Sequence, residues 1–389
     1  MTDAPEVTGD WLAAPGTQAV MGMLSDAGHR ALVVGGCVRN ALLGAPVADI
    51  DISTDARPER VVELAEAAGF RPVPTGIEHG TVTVIAHGAP HEVTTFRRDV
   101  ETDGRRAVVA FSDRVEEDAA RRDFTMNALY AEKDGTLVDP LDGLPDLRAR
   151  RLRFVGTPMD RVREDYLRIL RFFRFHAWYA DPGGGIDADA LDACARGGEG
   201  IEGLSGERIG AEMKKLLAAP DPAPAVAAMM AAGVLMRVLP GADPAILAPL
   251  VHLEDGRAPS WPRRAAALGG EGARRGWRLS NAEARELDVR RDALAAGTSV
   301  EEVAWRHGAD VATDVALIRA AGVPEPLGPD MAERIAKAAT ASFPLSAADL
   351  MPDLQGPALG AALKRAEAHW IASGFALDRD ALRAQALEG

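Results

Sequence analysis

Two aspartates, Asp49 and Asp51, stand one residue apart in the stretch VADIDIS, with one isoleucine between them and another after them. Because side chains alternate between the two faces of a β-strand, this spacing predicts that both carboxylates point to one face and both isoleucines to the other. Two carboxylates so close repel each other unless a cation lies between them, and oxygen ligands suit the hard cation Mg²⁺. The pair therefore indicates a magnesium site, with an exposed edge strand carrying two solvated aspartates as the alternative.

A glycine pair precedes these aspartates. The apolar run ALVV ends at Gly35 and Gly36, and the short helical pattern CVRNALLG follows. Glycine lets backbone N–H groups approach a phosphate closely, and the N-terminus of the following helix favours negative charge. Arg39 lies in the first turn, where its guanidinium can bind phosphate oxygens. Together with the aspartates, this pattern predicts a triphosphate site that faces two metal ions, as two-metal nucleotidyl transfer requires.

The stretch DPGGGIDADALDA also places glycines before two aspartates, Asp187 and Asp189. Here no apolar strand precedes the glycines, and alanines take the place of the isoleucines. A short acidic side chain after a turn commonly caps the next helix. The pattern therefore predicts that Asp187 or Asp189 is a helix cap and not part of a second metal site.

The composition is that of a soluble globular protein, with 47% hydrophobic and 26% charged residues. A length of 389 residues favours two to four domains. No apolar run is long enough to span a membrane and the N-terminus has no signal-peptide pattern, which together predict a cytoplasmic protein that does not associate with membranes. Two cysteines, Cys37 and Cys194, are too few for a disulfide framework and agree with a reducing compartment.

The net charge of −14 argues against nucleic-acid binding through bulk positive charge. RNA binding would therefore depend on a local basic surface, for which residues 97–174 supply many arginines. We call these side chains the arginine strip: Arg97, Arg98, Arg105, Arg106, Arg121, Arg122, Arg148, Arg150, Arg151, Arg153, Arg161, Arg163, Arg168, Arg171 and Arg174. The alternative for the arginine strip is an ordinary solvated surface.

The pattern of secondary structure changes near residue 151. Before it, β-branched runs predict strands at ALVVGG, VADIDIS, TVTVIA, HEVTTF and TLVD, and RPERVVELAEAAGF predicts a helix. After it, alanine-rich helical patterns are interrupted by Pro and Gly clusters, and the strand patterns disappear. The chain is thus predicted to contain an α+β domain up to about residue 150, followed by an all-α remainder.

Five motifs in a fixed order resemble those of class II CCA-adding tRNA nucleotidyltransferases and bacterial poly(A) polymerases. They are GGCVRNALLG followed by DID, then RRDFTMNAL, DPLDGLPDL, EDYLRILRFFRF and LSGERIGAEMKKLL. The resemblance implies an N-terminal head with the polymerase-β-type nucleotidyltransferase fold at 1–150, followed by an all-α neck, body and tail at 151–220, 221–290 and 291–389. By the same likeness, the neck recognises the base of the nucleotide and the tail binds tRNA.

The first of these motifs is implied to form the catalytic centre. By the resemblance, Asp49 and Asp51 are the catalytic residues and the ligands of the metal, and Gly36 and Arg39 contact the triphosphate. A third carboxylate is common in sites of this kind. The position of Glu92 in the predicted strand HEVTTF makes it our candidate for that third group.

The second and fourth motifs are implied to bind the rest of the nucleotide. By the resemblance, Arg122 and Asp123 hold phosphate and ribose. Four residues of EDYLRILRFFRF line the base pocket: Asp165, Arg168, Arg171 and Arg174. Helical spacing of i and i+3 places Asp165 beside Arg168, so the pair can read a base, with a plain intrahelical salt bridge as the alternative. The fifth motif, LSGERIGAEMKKLL, is explained as an amphipathic packing helix without a catalytic role.

The resemblance implies one reaction above others. This is the template-independent addition of C and A nucleotides to the 3′ end of tRNA, from CTP and ATP, with Mg²⁺ as the cofactor and no protein partner. Poly(A) addition, addition of CC only and addition of the final A only use the same chemistry and stay open as alternatives. A catalytically silent RNA-binding relative is the alternative of another class, which the intact motifs disfavour.

Overall fold

The computed structural model describes residues 5–103, 106–323, 328–351 and 353–388, without the side chains of 75, 99–103 and 106–109. Arg105 of the arginine strip lies outside the described residues, and so does the side chain of Arg106. The chain forms two compact units, Met1–Val238 and Leu239–Gly389.

Within the part of the chain that the structure describes, the strands all belong to the first unit. They are β1 (Ala31–Val34), β2 (Asp51–Thr54), β3 (Arg71–Gly76), β4 (Thr81–Ala86), β5 (Ala89–Thr95), β6 (Arg97–Asp103), β7 (Arg106–Phe111), β8 (Tyr130–Ala131) and β9 (Leu137–Val138). Seven of them form one sheet in the order β3-β4-β5-β2-β1-β8-β9, and β6 pairs with β7 in a separate hairpin. The fully buried run ALVV of β1 lies inside the large sheet, as its continuous apolar pattern favours.

The helices of the first unit cover the sheet and continue beyond it. They are α1 (Asp10–Ala13), α2 (Pro15–Asp26), α3 (Gly36–Leu42), α4 (Pro58–Ala67), α5 (Val115–Ala120), α6 (Leu144–Arg148), α7 (Pro158–Glu164), α8 (Leu167–Tyr179), α9 (Ala188–Arg196), α10 (Gly206–Leu217), α11 (Ala223–Ala231) and α12 (Val234–Val238). The predicted cap is confirmed, because the Asp187 carboxylate accepts a hydrogen bond from the backbone N–H of Ala190 at the start of α9, at 2.8 Å.

Four phenylalanines attach α8 to the α+β part of the first unit. Phe124 and Phe154 pack with their rings tilted and their centroids 4.9 Å apart, and the two residues are joined by an isolated β-bridge. Phe172 and Phe175 of α8 pack against them, at 5.5 Å from Phe154 and 5.0 Å from Phe124 respectively. Such aromatic contacts exclude water and fix orientation, so that Arg171 and Tyr179 of α8 meet Asp123 and Arg39 in one register.

The second unit is helical wherever the structure describes it. Its helices are α13 (Leu247–Leu253), α14 (Trp261–Leu268), α15 (Ala273–Gly276), α16 (Asn281–Ala295), α17 (Val300–His307), α18 (Ala309–Ala321), α19 (Met331–Thr340), α20 (Ala347–Leu350), α21 (Gly356–Ala372) and α22 (Arg379–Glu388). One apolar cluster includes Val303, Val315 and Ile335, and another surrounds Trp370. Over the described ranges, no helix is both long enough and apolar enough to cross a membrane.

The α+β fold class is confirmed, and two local predictions are wrong. Strand β2 begins only at Asp51, so Asp49 precedes the strand and does not alternate within it. The motif EDYLRILRFFRF is not one continuous helix, because α7 ends before Asp165, whose backbone is extended with φ −155° and ψ 107°. The subdivision of the helical part into neck, body and tail stays a prediction.

Candidate active site

The two parallel strands β2 and β5 bring three carboxylates together. Asp51 on β2 stands opposite Glu92 on β5 in the strand register, and Asp49 lies two residues before Asp51. Burial raises the pKa of Asp51, and the negative charges of Glu92 and Asp49 raise it further against the opposing charge of Arg122. The site therefore holds excess negative charge that a cation would relieve.

The donor set at these carboxylates fits Mg²⁺, which takes oxygen ligands and usually binds through one or two carboxylates together with water and substrate phosphates. Across the described residues, no group of three or more His, Cys, Asp and Glu side chains is arranged to enclose a metal ion by itself. A site for Mg²⁺ here would thus depend on Asp51 and Asp49 together with oxygens of the nucleotide. Glu92 is close enough to act on the pKa of Asp51.

The glycine pair turns the chain from β1 into α3. Gly35 has a φ of 73°, in the left-handed region, and its N–H donates to the carbonyl of Leu129 at 3.1 Å. A Cβ at Gly35 would stand 3.3 Å from the Arg122 guanidinium, so a side chain there would be strained and crowded. Gly36 is the first residue of α3 and lies near the guanidinium of Arg39.

Arg39 is buried, with 6% of its surface exposed, and its hydrogen-bond acceptors are all neutral. Its Nη1 donates to Asn127 Oδ1 at 2.5 Å, its Nη2 donates to the hydroxyl of Tyr179 at 2.9 Å, and Nε and Nη2 both donate to Asn40 Oδ1. Arg39 makes no salt bridge with any carboxylate of the described residues. Burial lowers the pKa of Arg39, because the desolvated charge is not paired directly.

Four other arginines of the predicted site each pair with a carboxylate. The pairs are Arg122 with Asp118 at 3.0 Å, Arg168 with Glu164 at 2.5 Å, Arg171 with Asp123 at 2.5 Å and Arg174 with Glu212 at 2.5 Å. Arg122 also reaches β2, where its Nη2 donates to Ser53 Oγ at 3.4 Å. Arg39 therefore differs from these four because no carboxylate of the described residues pairs with it directly, although the charge of Asp123 acts on it from nearby.

Asp123 is fixed by three donors. One of them is Arg171, so Asp123 joins the motif RRDFTMNAL to the motif EDYLRILRFFRF. Its carboxylate accepts hydrogen bonds from Arg171, from Asn127 Nδ2 at 2.9 Å and from the backbone N–H of Phe124 at 2.9 Å. Burial would raise the pKa of Asp123, but these donors and the charge of Arg171 outweigh it and leave the pKa below its ordinary value. Asn127 thus links Asp123 to Arg39, a role that the sequence analysis missed.

Asp165 and Arg168 lie close together, but the predicted alternative of an intrahelical salt bridge between them is wrong. Arg168 donates instead to Glu164 and to the carbonyls of Arg161 and Arg121, at 2.5, 3.1 and 3.0 Å. Asp165 precedes α8, and its carboxylate accepts a hydrogen bond from the N–H of Leu167, the first residue of α8, at 3.0 Å. The other carboxylate oxygen of Asp165 accepts a hydrogen bond from Arg208 of α10. Each of the two residues is held by its own partners.

The helix α10, from the motif LSGERIGAEMKKLL, supplies two of these partners. Arg208 Nη2 donates to Asp165 Oδ2 at 2.6 Å, and Glu212 accepts from Arg174 Nε at 2.5 Å. Met213 and Leu216 are buried, as an amphipathic packing helix requires. The helix also holds two predicted base-pocket residues, which its apolar pattern alone does not indicate.

Two family models match segments of the chain that contribute residues to this site. The model of the poly A polymerase head domain matches residues 31–153, which contain the glycine turn, β2, β5 and the segment around Asp123. A second model, described as a probable RNA- and SrmB-binding site of polymerase A, matches residues 185–246. The crystal structure of the Bacillus stearothermophilus CCA-adding enzyme in complex with CTP is 31% identical, with a TM-score of 0.73 over 96% of each chain. The chain belongs to the family of CCA-adding enzymes and poly(A) polymerases.

Curated members of the CCA-adding enzyme family match over a shorter span. The mitochondrial CCA tRNA nucleotidyltransferase 1 of Mus musculus is 42% identical over 207 residues, which are 53% of this chain and 48% of the mouse protein. The CCA-adding enzyme of Streptococcus pyogenes is 42% identical over 214 residues, which are 54% of this chain and 52% of the streptococcal protein. The matched region thus spans about half the length of these relatives.

Proposed function

We propose that the protein adds C and A nucleotides to the 3′ end of tRNA without a nucleic-acid template, using CTP and ATP. The observation that carries the proposal is the carboxylate group of Asp51, Asp49 and Glu92, in a chain similar over 96% of its length to a CTP-bound CCA-adding enzyme. Arg39, which makes no salt bridge with a carboxylate of the described residues, adds a guanidinium that can bind an anion. Carboxylates that can hold a metal ion and a guanidinium that can bind phosphate are the two kinds of group that nucleotidyl transfer requires.

In the proposed reaction, the 3′ oxygen of the tRNA bonds to the α-phosphorus of the nucleotide. The bond from that phosphorus to the β-phosphate oxygen breaks, the 3′ hydroxyl loses its proton, and pyrophosphate leaves. Asp49 and Asp51 would hold Mg²⁺ through their carboxylate oxygens. When bound, Mg²⁺ would lower the pKa of the attacking hydroxyl and stabilise the charge on the leaving group.

The arginines of the site would bind the nucleotide around this centre. Arg39 would bind the triphosphate, because a buried guanidinium without a carboxylate partner gains most from an anion. Arg122, which reaches β2 beside Asp51, would contact phosphate, and Asp123 would hold the ribose. Gly36, the first residue of α3, would contact the same phosphates.

The base would be read by Asp165 and Arg168, with Arg171 and Arg174 beside them. Cytosine and adenine both carry an exocyclic amino donor next to a ring-nitrogen acceptor, which a carboxylate and a guanidinium can match. Uracil and guanine present a carbonyl where the amino group should be, so buried polar groups would stay unpaired. Because Arg208 and Glu164 hold this pair in place, the protein itself would act as the template.

The tRNA would bind through the helical tail at 291–389, which the resemblance implies, and through the described members of the arginine strip, which the negative net charge favours. A cytoplasmic location remains part of this proposal, and it is supported by Cys37 and Cys194, which are both buried and free, as expected in a reducing compartment.

The incorporation of labelled CTP and ATP into tRNA transcripts that lack the terminal CCA tests the proposal. Wild-type protein is expected to incorporate both nucleotides, and Asp49→Asn and Asp51→Asn to incorporate neither while remaining folded. Near wild-type incorporation by Asp51→Asn in Mg²⁺ would show that the carboxylates are not the catalytic centre.

A further inference from the structure

Tyr179, the last residue of α8, closes the neutral shell around Arg39. The Cζ atom of Arg39 lies 4.0 Å from the centroid of the Tyr179 ring, and the Tyr179 hydroxyl accepts from Arg39 Nη2 at 2.9 Å. Phe175, one turn earlier on α8, has its ring centroid 5.1 Å from the same carbon. The guanidinium is therefore held by two aromatic rings and by neutral acceptors.

The kind of partner matters for a residue that binds a phosphate. An aromatic face attracts a cation through its quadrupole, and a hydroxyl attracts it through its dipole, but neither carries a negative charge. A carboxylate at the same place would hold Arg39 equally firmly, and it would cancel the charge that the guanidinium offers to a phosphate. The aromatic shell fixes the position of Arg39 without adding a negative charge, and Asp123 acts on Arg39 electrostatically without forming a salt bridge with it.

We propose that Tyr179 is a positioning residue, which fixes the guanidinium of Arg39 for the triphosphate of the incoming nucleotide. The inference rests on the proposed function, because that function assigns the triphosphate to Arg39. Tyr179 contacts Arg39 far from Asp165 and Arg168 along α8, so its effect concerns the triphosphate and is the same for CTP and for ATP.

Three substitutions of Tyr179 separate the contribution of its ring, the contribution of its hydroxyl and the importance of its lack of negative charge. Tyr179→Phe keeps the ring and loses the hydroxyl, Tyr179→Leu loses both, and Tyr179→Glu places a carboxylate beside Arg39. Their affinities for CTP, ATP and inorganic triphosphate are measured by calorimetry with Mg²⁺ and without RNA, together with kcat and KM for incorporation. Tyr166→Phe is the matched control, because Tyr166 packs against Gly200 and does not contact Arg39.

The expected result is a graded loss of triphosphate affinity. Tyr179→Leu weakens the binding of CTP, ATP and inorganic triphosphate equally, by about tenfold or more, and Tyr179→Phe recovers most of this loss. Tyr179→Glu has the weakest affinity although its melting temperature does not fall, because the new ion pair stabilises the fold while it neutralises Arg39. KM for both nucleotides rises more than kcat falls, and Tyr166→Phe behaves as wild type.

Two results would overturn the inference. The first is a Tyr179→Glu variant that binds inorganic triphosphate with wild-type affinity. This result decides the question even if Tyr179→Leu does not fold. The second is a set of Tyr179 variants that lose selectivity between nucleotides while they keep their affinity for triphosphate. Arg39→Gln distinguishes the two proposals: if it binds inorganic triphosphate as wild type does, the assignment of the triphosphate to Arg39 is wrong. If Arg39→Gln loses affinity and the Tyr179 variants do not, only the role of Tyr179 is wrong.

Discussion

Asp51 on β2 stands opposite Glu92 on β5, because the two strands run parallel and in register. The arrangement requires a crossover, which the segment through α4, β3 and β4 supplies. Two carboxylates on neighbouring parallel strands repel each other, and the pKa of Asp51 is raised by its burial and by Glu92. The fold thus sustains an unfavourable charge arrangement at the place where the proposed chemistry needs a cation.

The first prediction concerns stability. A carboxyl whose pKa is raised by folding binds more protons in the folded state than in the unfolded state, so stability falls as pH rises through the raised pKa and stays lower at neutral pH. Asp51→Asn removes the charge and is expected to melt at a higher temperature than wild type at pH 7, although it is inactive. Thermal unfolding measures this, with the exposed Asp26→Asn as a control that leaves the melting temperature unchanged.

Wild type and Asp51→Asn are also expected to differ in how much Mg²⁺ raises their melting temperatures. An ion that binds only the folded state raises the melting temperature, and at about 100 times its Kd it adds about 2.7 kcal/mol. Mg²⁺ with CTP is expected to raise the melting temperature of wild type clearly more than that of Asp51→Asn. Equal shifts in the two proteins would show that Asp51 does not hold the metal.

The second prediction concerns base selection. Arg168→Ala removes one of the two proposed base-reading groups, and discrimination against a wrong base by unpaired polar groups amounts to about 10⁴-fold or more. The variant is expected to lose most of its preference for CTP and ATP over UTP and GTP, while Asp49 and Asp51 are untouched. Steady-state incorporation of the four nucleotides is the measurement.

Arg196→Ala serves as the control for this experiment, because Arg196 forms an exposed pair with Asp192 on α9, away from the proposed base pocket. It should keep the selectivity of wild type. Unchanged discrimination by Arg168→Ala would remove Arg168 from base reading and leave it as a structural partner of Glu164.

The third prediction compares two ion pairs between an arginine and a glutamate. Glu212 is buried and pairs with Arg174 of α8, whereas Glu202 has 70% of its side chain exposed and pairs with Arg237. Removing one partner of a buried pair leaves an uncompensated charge, so Glu212→Ala is expected to cost about 3–5 kcal/mol of unfolding free energy. Glu202→Ala should cost about 1 kcal/mol or less. Urea denaturation measures both, and similar costs would contradict the role of α10 in fixing Arg174.

The fourth prediction concerns tRNA binding. With a net charge of −14, the protein is expected to bind RNA through the arginine strip, and its affinity should fall steeply with salt as counterions are released. Arg148 and Arg150 are exposed members of the strip, and removing one arginine that contacts a phosphate should reduce the slope of log affinity against log salt by about 0.7–0.9. We therefore expect this reduction for Arg148→Ala or Arg150→Ala. Titration of labelled tRNA at several salt concentrations gives the slope. Affinity independent of salt would exclude this mode of binding.

The parts of the fold that depend on local pattern could be predicted from the sequence. The continuous apolar run ALVV forms β1, and the alternating run TVTVIA forms β4. The glycine pair leads into α3. Each of these signals acts over only a few residues. Strand β3 was missed because Pro72 and Pro74 interrupt its pattern, yet it lies at the edge of the sheet, where proline is tolerated.

The partners of the site residues could not be predicted in the same way. Arg208 is 43 residues from Asp165 and Glu212 is 38 residues from Arg174, so their pairing depends on how α10 docks against α8. The break before α8 was missed because the apolar spacing continues through it. The backbone of Asp165 is extended there, and its side chain accepts a hydrogen bond from Leu167 at the start of the next helix.

The most direct test of the account is to follow the products formed on tRNAs ending before CCA, after C and after CC, with CTP alone, ATP alone and both nucleotides. The account predicts that CTP alone extends the first two tRNAs only to CC. It predicts that ATP alone extends only the tRNA ending in CC, by one A, and that both nucleotides together complete CCA on all three and then stop. Long A tracts, a halt at CC with both nucleotides present, or no incorporation into any of the three tRNAs would contradict it.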